Sequence, residues 1–393
     1  MRKESIAVYS SGLIQGICLV TFPAASTILT SPDAFNFSST AYGSLFISQT
    51  IFALFSTAMN PRLCQYFSSK SVFIFGLIAN LLSMVLMAFS VMATKRSELA
   101  HFILVVATAL LGAGFGLTVP TLNAMTALLF PAKIDSMLLL LNALLGVGSA
   151  LAPIFMALFV AFGFWWELPL ILAGLIAFLI LYSVSLTLPG EKIPYRTKSF
   201  KQNKTLVRFR IFGAFAFLYG TIETLNANWV SIYMKTSLHA THEIQALALT
   251  AFWGMVTVGR FVFAAFDKSI RERFVYQLSP FICAAGFLLL ASLKDGESTW
   301  AVFASGLMGF GCSTLLPLTV GFGTQQFKSI AGAIPGMILT YYLIGYGIAA
   351  FGVGPLQEFA QIQLREIYYF GAFIAMILGL ISIGIVKTKP KEM

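Results

Sequence analysis

Of 393 residues, 58% are hydrophobic and only 10% charged, with a mean hydropathy of +0.86, whereas about a quarter of the residues of a soluble domain are charged. That balance excludes a water-soluble enzyme or regulator. A formal charge of +10 would suit a nucleic-acid partner in a soluble protein, but in an apolar chain the placement of the charges decides their meaning.

The first apolar run follows "MRKES" and extends to "FPAAS". Basic residues before it and small residues after it imitate a secretory signal, but the run is longer than an h-region of about 7–15 residues, and it reads as an uncleaved first helix. Apolar runs bounded by Gly, Pro and charged breaks predict twelve membrane helices. They fall at residues 6–30, 41–60, 71–94, 100–130, 136–160, 167–188, 210–234, 244–266, 275–293, 300–326, 331–355 and 367–386. The longest polar break, "PGEKIPYRTKSFKQNKTLVRFR" from Pro189 to Arg210, parts six helices from six. The expected domains are therefore an N-terminal bundle, 1–188, a basic linker, 189–209, and a C-terminal bundle, 210–393. Cys18, Cys283 and Cys312 fall within spans and Cys64 in a short basic loop. Nothing here resembles a disulfide framework, and the cysteines read as small packing residues.

With both termini in the cytoplasm, Lys95, Arg96, Lys235, Lys294 and Arg365 are the only outer cations among the 25 Lys and Arg. A bias of that size orients the chain by the positive-inside rule. The basicity is then topology, membrane lipid replaces nucleic acid as the partner, and the expected location is a bacterial cytoplasmic (inner) membrane. The basic linker reads as a solvated segment near anionic headgroups.

The two halves echo one another. "GAGFGLTVP" sets Gly112, Gly114 and Pro120 at the spacing of Gly309, Gly311 and Pro317 in "GFGCSTLLP", and Phe130 and Phe327 each follow their proline by ten residues. "GVGSALAP" is answered by "GYGIAAFGVGP", near Gly345. Small residues permit close approach of membrane helices, and their recurrence in the same order suggests a duplicated six-helix unit, a common plan among secondary transporters.

On these residues the chain resembles the major facilitator superfamily over nearly its whole length. The resemblance implies an all-α membrane protein of twelve transmembrane helices in two pseudo-symmetric six-helix bundles. It further implies a central cavity lined by the first, fourth, seventh and tenth helices, flanked by the second, fifth, eighth and eleventh, with the other four facing lipid. The family's short signatures are altered: "NPRLCQYFSSKSV" has Gln65 near the expected acid while keeping Lys70, and Thr108 stands about where the fourth helix often has arginine. The sixth and twelfth runs are almost wholly apolar. Gln15, Gln49, Asn123, Asn142, Glu223, Asn226, Asn228 and Gln325 lie on helices that the resemblance assigns to the cavity or its flanks. Asn80, on the third, does not follow that rule.

Glu223 is the one acid near the middle of a predicted span. An ionised acid there costs very roughly 2.5–3.5 kcal/mol on insertion scales, so such a group faces a polar cavity or takes up a proton. Tyr219, Glu223 and Asn226 stand at i, i+4 and i+7 and share a helix face. Glu223 is thus the expected proton-coupling residue, against the plainer reading of a protonated strut between helices. Tyr219, Asn226, Gln15, Gln49, Tyr341, Tyr342, Trp253 and Asn123 are the candidate substrate contacts, with packing as the alternative for the aromatics and helix pairing for the amides. Trp229 reads as an interfacial anchor. Arg260, Gly112, Gly114, Pro120, Gly309, Gly311 and Pro317 are expected to serve the gate or the packing.

"HATHE", with His239, His242 and Glu243, is too sparse to count as a metal site. No P-loop and no nucleophile–base pair is present, so no metal, cofactor or enzymatic activity is expected. The function implied is secondary active transport: proton-coupled uptake (symport) of a small polar organic solute by a monomer that alternates its exposure. Proton-driven efflux of a drug, siderophore or other amphipathic molecule is the alternative, and a non-transporting membrane receptor or scaffold is the reading from another class.

Overall fold

The computed structural model describes residues 3–188, 203–265 and 271–387. Among the described residues there is no strand. The chain divides into two compact units, Met1–Arg196 and Thr197–Met393. The first contains α1 (Lys3–Ala24), α2 (Ser26–Leu29), α3 (Ser39–Phe67), α4 (Ser69–Phe89), α5 (Ser97–Leu129), α6 (Ile134–Ala161) and α7 (Glu167–Ser185). The second contains α8 (Asn203–Ser237), α9 (His242–Ala265), α10 (Arg271–Ser292), α11 (Ser298–Cys312), α12 (Leu315–Gln326), α13 (Ile334–Glu358) and α14 (Leu364–Lys387).

Ten described helical spans are long and apolar enough to cross a membrane. The 29-residue α3 and the 35-residue α8 have the length without that hydropathy, because both carry polar side chains into the interior. The outer faces are oily: α7 exposes Ile171, Phe178 and Leu181, and α14 exposes Phe370, Phe373 and Leu380. In water such rows would be an aggregation hazard, whereas against acyl chains they are solvated.

Element ends depart from the sequence expectation in four places. The loop expected at 61–70 is largely helical, since α3 runs through Pro61 to Phe67. The break is confined to Ser68, at φ 83, whose side chain caps α4 by accepting from the Ser71 amide. Cys64 is therefore buried on α3 rather than in a loop. The expected linker lies outside the described residues as far as 202, and from Asn203 the chain is already helical.

The first expected helix is interrupted at Ala25, two residues after Pro23. The tenth is divided into α11 and α12 at Ser313–Thr314. Proline has no N–H for the carbonyl four residues before it, so Pro317 leaves Ser313 unpaired on the helix. The Ser313 hydroxyl also turns back onto the Phe310 carbonyl (2.7 Å), which favours a turn over a continued helix, while that of Thr314 pairs across to the Ser279 hydroxyl of α10 (3.1 Å). Pro120 makes the same vacancy at Gly116, yet α5 stays continuous. There Asn60 Nδ2 donates to the Gly116 and Leu117 carbonyls, at 3.3 and 2.9 Å.

Glycines set the helix contacts, and the same contacts occur in each unit. A Cβ on Gly16 would lie 1.9 Å from the Leu145 carbonyl oxygen, and one on Gly148 2.0 Å from that of Leu13, so α1 and α6 meet backbone to backbone. In the second unit, Gly220 meets the Tyr342 carbonyl (2.2 Å) and Gly345 that of Phe217 (2.0 Å), which joins α8 to α13 in the same way. Gly112 rests on the Gln49 carbonyl of α3 and Gly309 on the Phe252 carbonyl of α9, each at 2.1 Å from the missing Cβ. Gly114 faces the Asn80 amide and Gly311 the Cys283 thiol. Phe130 ends α5 and Phe327 ends α12 with nearly the same backbone angles. The glycine spacings of the sequence are therefore the marks of repeated close contacts, with Gly148 as the counterpart of Gly345.

Candidate functional site

Glu223 is 5% exposed and sits at mid-length on α8. The Gly220 contact brings the α13 backbone against α8, and from there Tyr342 reaches across to donate its hydroxyl to Glu223 Oε1 at 2.5 Å. The Tyr219 hydroxyl donates to the other carboxyl oxygen, Oε2. The two phenol rings stack, with centroids 5.6 Å apart, and Tyr342 also packs on Tyr346. Two O–H donors on one carboxyl are strong charge-assisted partners when it is ionised.

Tyr219 has a second acceptor, the Cys312 carbonyl at 3.3 Å, at the end of α11. The next carbonyl along, Ser313, which Pro317 leaves without a helical partner, accepts from Arg260 Nε of α9 at 3.3 Å. Arg260 also acts electrostatically on Glu223, although no ion pair within 4 Å joins them among the described residues. One acid, two phenols and a guanidinium thus converge on the break between α11 and α12.

The first unit holds a neutral cluster. Gln15 directly precedes Gly16, as Tyr219 precedes Gly220. Its Oε1 accepts from Asn80 Nδ2 (2.7 Å) and from the Thr118 hydroxyl (2.6 Å), and all three residues are buried. Among the described residues, Gln15 Nε2 and Asn80 Oδ1 have no partner. Asn80, which broke the lipid-facing rule in the sequence, points inward because Gly114 leaves room for its amide. Gln49 is buried on α3 with Oε1 unpaired among the described residues.

The remaining sequence candidates divide. Asn226 is fully buried and neither atom of its amide has a partner among the described residues. Trp253 is half-buried, its indole N–H unpaired among the described residues, and packed edge-on against Phe252. Asn123 is half-buried on α5. Tyr341 does not join Glu223: its ring is partly exposed and lies over Phe209 and Gly213. Asn142 is tied to its own helix at the Leu138 carbonyl (2.8 Å) and Gln325 is exposed. Trp229, expected at the interface, is wholly buried inside the second unit. Asn228 pairs with the Tyr346 hydroxyl, and His239 with Asp295 at 3.2 Å on the surface. Tyr346 and Thr118 escaped notice in the sequence; Tyr346 was within reach, four residues after Tyr342 on the same face.

Apolar membrane-length helices around buried polar clusters define a multi-pass integral membrane protein, and its family a transporter rather than an enzyme. The chain belongs to the Major Facilitator Superfamily, whose model matches residues 8–350. Among solved structures, the nucleoside transporter NupG shares 15% identity at a TM-score of 0.74, covering 99% of this chain and 100% of its own. The D-xylose-proton symporter shares 13% at 0.74, covering 99% and 98%. A point mutant of the E. coli fucose:proton symporter FucP shares 16% at 0.62, covering 98% of each chain. At those identities the likeness is one of fold. No curated protein sequence matches the chain.

Proposed function

We propose that the protein is a proton-coupled secondary transporter that takes up a small polar organic solute by alternating access, with Glu223 as the residue that gains and loses the proton. The observation that carries this reading is a mid-span carboxyl, buried within its unit and held by two phenols, with no cation paired to it among the described residues. An acid so placed has few plain structural uses, because a neutral side chain would hold helices together at lower cost. Tyr342, Tyr219, Asn226, Gln15, Gln49, Trp253 and Asn123 are the proposed solute contacts. Unpaired amide atoms on Gln15, Gln49 and Asn226 support a hydrogen-bonding solute, since buried polar atoms ordinarily have partners. Similar folds named for nucleoside, xylose and fucose transport agree with a small hydroxylated solute.

The proposal includes twelve spans in two related six-helix bundles with both termini cytoplasmic in a bacterial inner membrane, supported by the repeated glycine contacts and the Lys and Arg bias. The test uses proteoliposomes loaded with a pH-sensitive dye and offered nucleosides, pentoses and deoxyhexoses. A transported solute should carry protons inward, and an inward proton gradient should concentrate it. Glu223→Gln should abolish accumulation while solute exchange continues. Full accumulation by a well-folded Glu223→Gln protein would remove the acid from the mechanism. Flux confined to inverted vesicles would favour export, and no flux of any solute would favour a receptor or scaffold.

A further inference from the structure

Tyr219 is placed to do more than hold the carboxyl. A phenol has one hydrogen, yet the Tyr219 hydroxyl faces two acceptors, Glu223 Oε2 and the Cys312 carbonyl. With Glu223 ionised, the hydrogen is committed to the carboxylate. With Glu223 protonated, the carboxylic O–H can donate to the phenol oxygen, and the phenol hydrogen is released to Cys312. That carbonyl is the last of α11, one residue before the one orphaned by Pro317 and held by Arg260.

We infer that Tyr219 is a positioning residue through which the protonation of Glu223 sets the hydrogen bonding of the α11–α12 joint, with Arg260 as the second support of that joint. The inference rests on the proposed proton exchange at Glu223 and adds the route by which it reaches the backbone. The first unit offers an internal contrast: its equivalent proline vacancy is filled by the neutral Asn60, its helix is unbroken, and its counterpart of Tyr219 is Gln15, whose partners Asn80 and Thr118 are neutral.

The groups facing Glu223 can be named from each neighbouring helix. They are Tyr342 and Tyr346 from α13, Arg260 from α9 and Cys312 from α11, with Cys283 of α10 behind it at 3.7 Å. From α14, Tyr368 is tied to the Leu225 carbonyl, and α12 contains no titratable residue. Among the described residues that touch Glu223, Tyr219 alone bridges the acid and the joint by direct hydrogen bonds.

The experiment is hydrogen–deuterium exchange by mass spectrometry on the full-length protein in lipid nanodiscs, following peptides that cover residues 309–319 from pH 5.5 to 8.5, corrected for intrinsic exchange. In the wild type the protection of this joint should change about tenfold across the range, the ratio set by one hydrogen bond made or lost. Tyr219→Phe keeps the ring and its stacking and removes only the hydroxyl, and should make the joint indifferent to pH. Glu223→Gln should do the same, whereas Tyr341→Phe should keep the wild-type response. A wild-type response that persists in Tyr219→Phe, or a wild-type joint that does not respond to pH, overturns the inference. Either result leaves untouched the flux assay of Glu223→Gln, which judges the proton reading by itself. Should Glu223→Gln misfold, Tyr219→Phe decides alone.

Discussion

Gly112→Ala tests the contact on which the placement of α3 depends. A Cβ at Gly112 would stand 2.1 Å from the Gln49 carbonyl oxygen, where ordinary contact begins at 3.4 Å, so α3 and α5 must part by about 1.3 Å or bend. The obstacle is backbone and cannot rotate away. Overpacking of this kind costs about 1–3 kcal/mol, offset by the about 0.5–1 kcal/mol that alanine gains over glycine within a helix. The net loss should be about 1–2 kcal/mol, read as a lower midpoint of unfolding in detergent. Gly309→Ala should lose a similar amount, because its Cβ meets the Phe252 carbonyl at the same 2.1 Å. Gly174, on α7, has nothing within 4 Å of the position a Cβ would take, and Gly174→Ala should leave the midpoint unchanged or raise it. If Gly112→Ala unfolds at the wild-type midpoint while Gly174→Ala falls, the close contacts do not hold the bundles and the reasoning fails.

Tyr342→Phe removes a donor to Glu223 and should lower proton-driven accumulation at least tenfold, whereas Tyr341→Phe should leave it within twofold; vesicle uptake of an identified solute checks both. Asn80→Ala takes one of the two donors from Gln15 Oε1 and empties the space against Gly114, at a cost of about 1–3 kcal/mol, measured by the same unfolding midpoint. Lys70 Nζ donates to the Val184 and Leu186 carbonyls at 2.8 and 2.7 Å, at the end of α7. Lys70→Met should therefore destabilise by about 1 kcal/mol and speed amide exchange in the last turn of α7.

The membrane class, the helices and the mid-helix place of Glu223 were legible because hydropathy and a solitary mid-span acid are properties of single segments. The i, i+4, i+7 rule put Tyr219 beside Glu223 correctly, since a helix settles that geometry by itself. It could not choose between Tyr341 and Tyr342, because adjacent residues point about 100° apart and only the Gly220 contact turns Tyr342 toward α8. Asn80 looked anomalous for a related reason: its surroundings depend on a glycine of another helix. The division of α11 from α12 had a visible cause in "CSTLLP", but "GLTVP" has the same proline and stays helical. Both vacant carbonyls accept from a neighbouring helix, that of Gly116 from Asn60 and that of Ser313 from Arg260, so the vacancy alone does not decide whether the helix divides, and a hydropathy pattern does not express what does. Trp229 was misplaced because tryptophan's preference for the interface is statistical, and the second unit buries this ring.

The two units keep the same backbone contacts and differ in the chemistry placed on them. Gly16, Gly112, Gly114 and Gly148 do in the first what Gly220, Gly309, Gly311 and Gly345 do in the second. At the matched interior positions the first has amides, Gln15 and Asn80, while the second has a phenol and a thiol, Tyr219 and Cys283. Asn60 spans one proline vacancy as a neutral group, and Arg260 the other as a cation beside an acid. Neutral amides are indifferent to pH near neutrality, so a proton can alter hydrogen bonding in the second unit without loosening the first. The repeated glycines would then preserve the packing while titratable groups stand at the matched interior positions of one copy alone. On that argument, substitutions that perturb glycine contacts should lower stability in either unit, whereas substitutions that change the pH response without a comparable loss of stability should gather around Glu223.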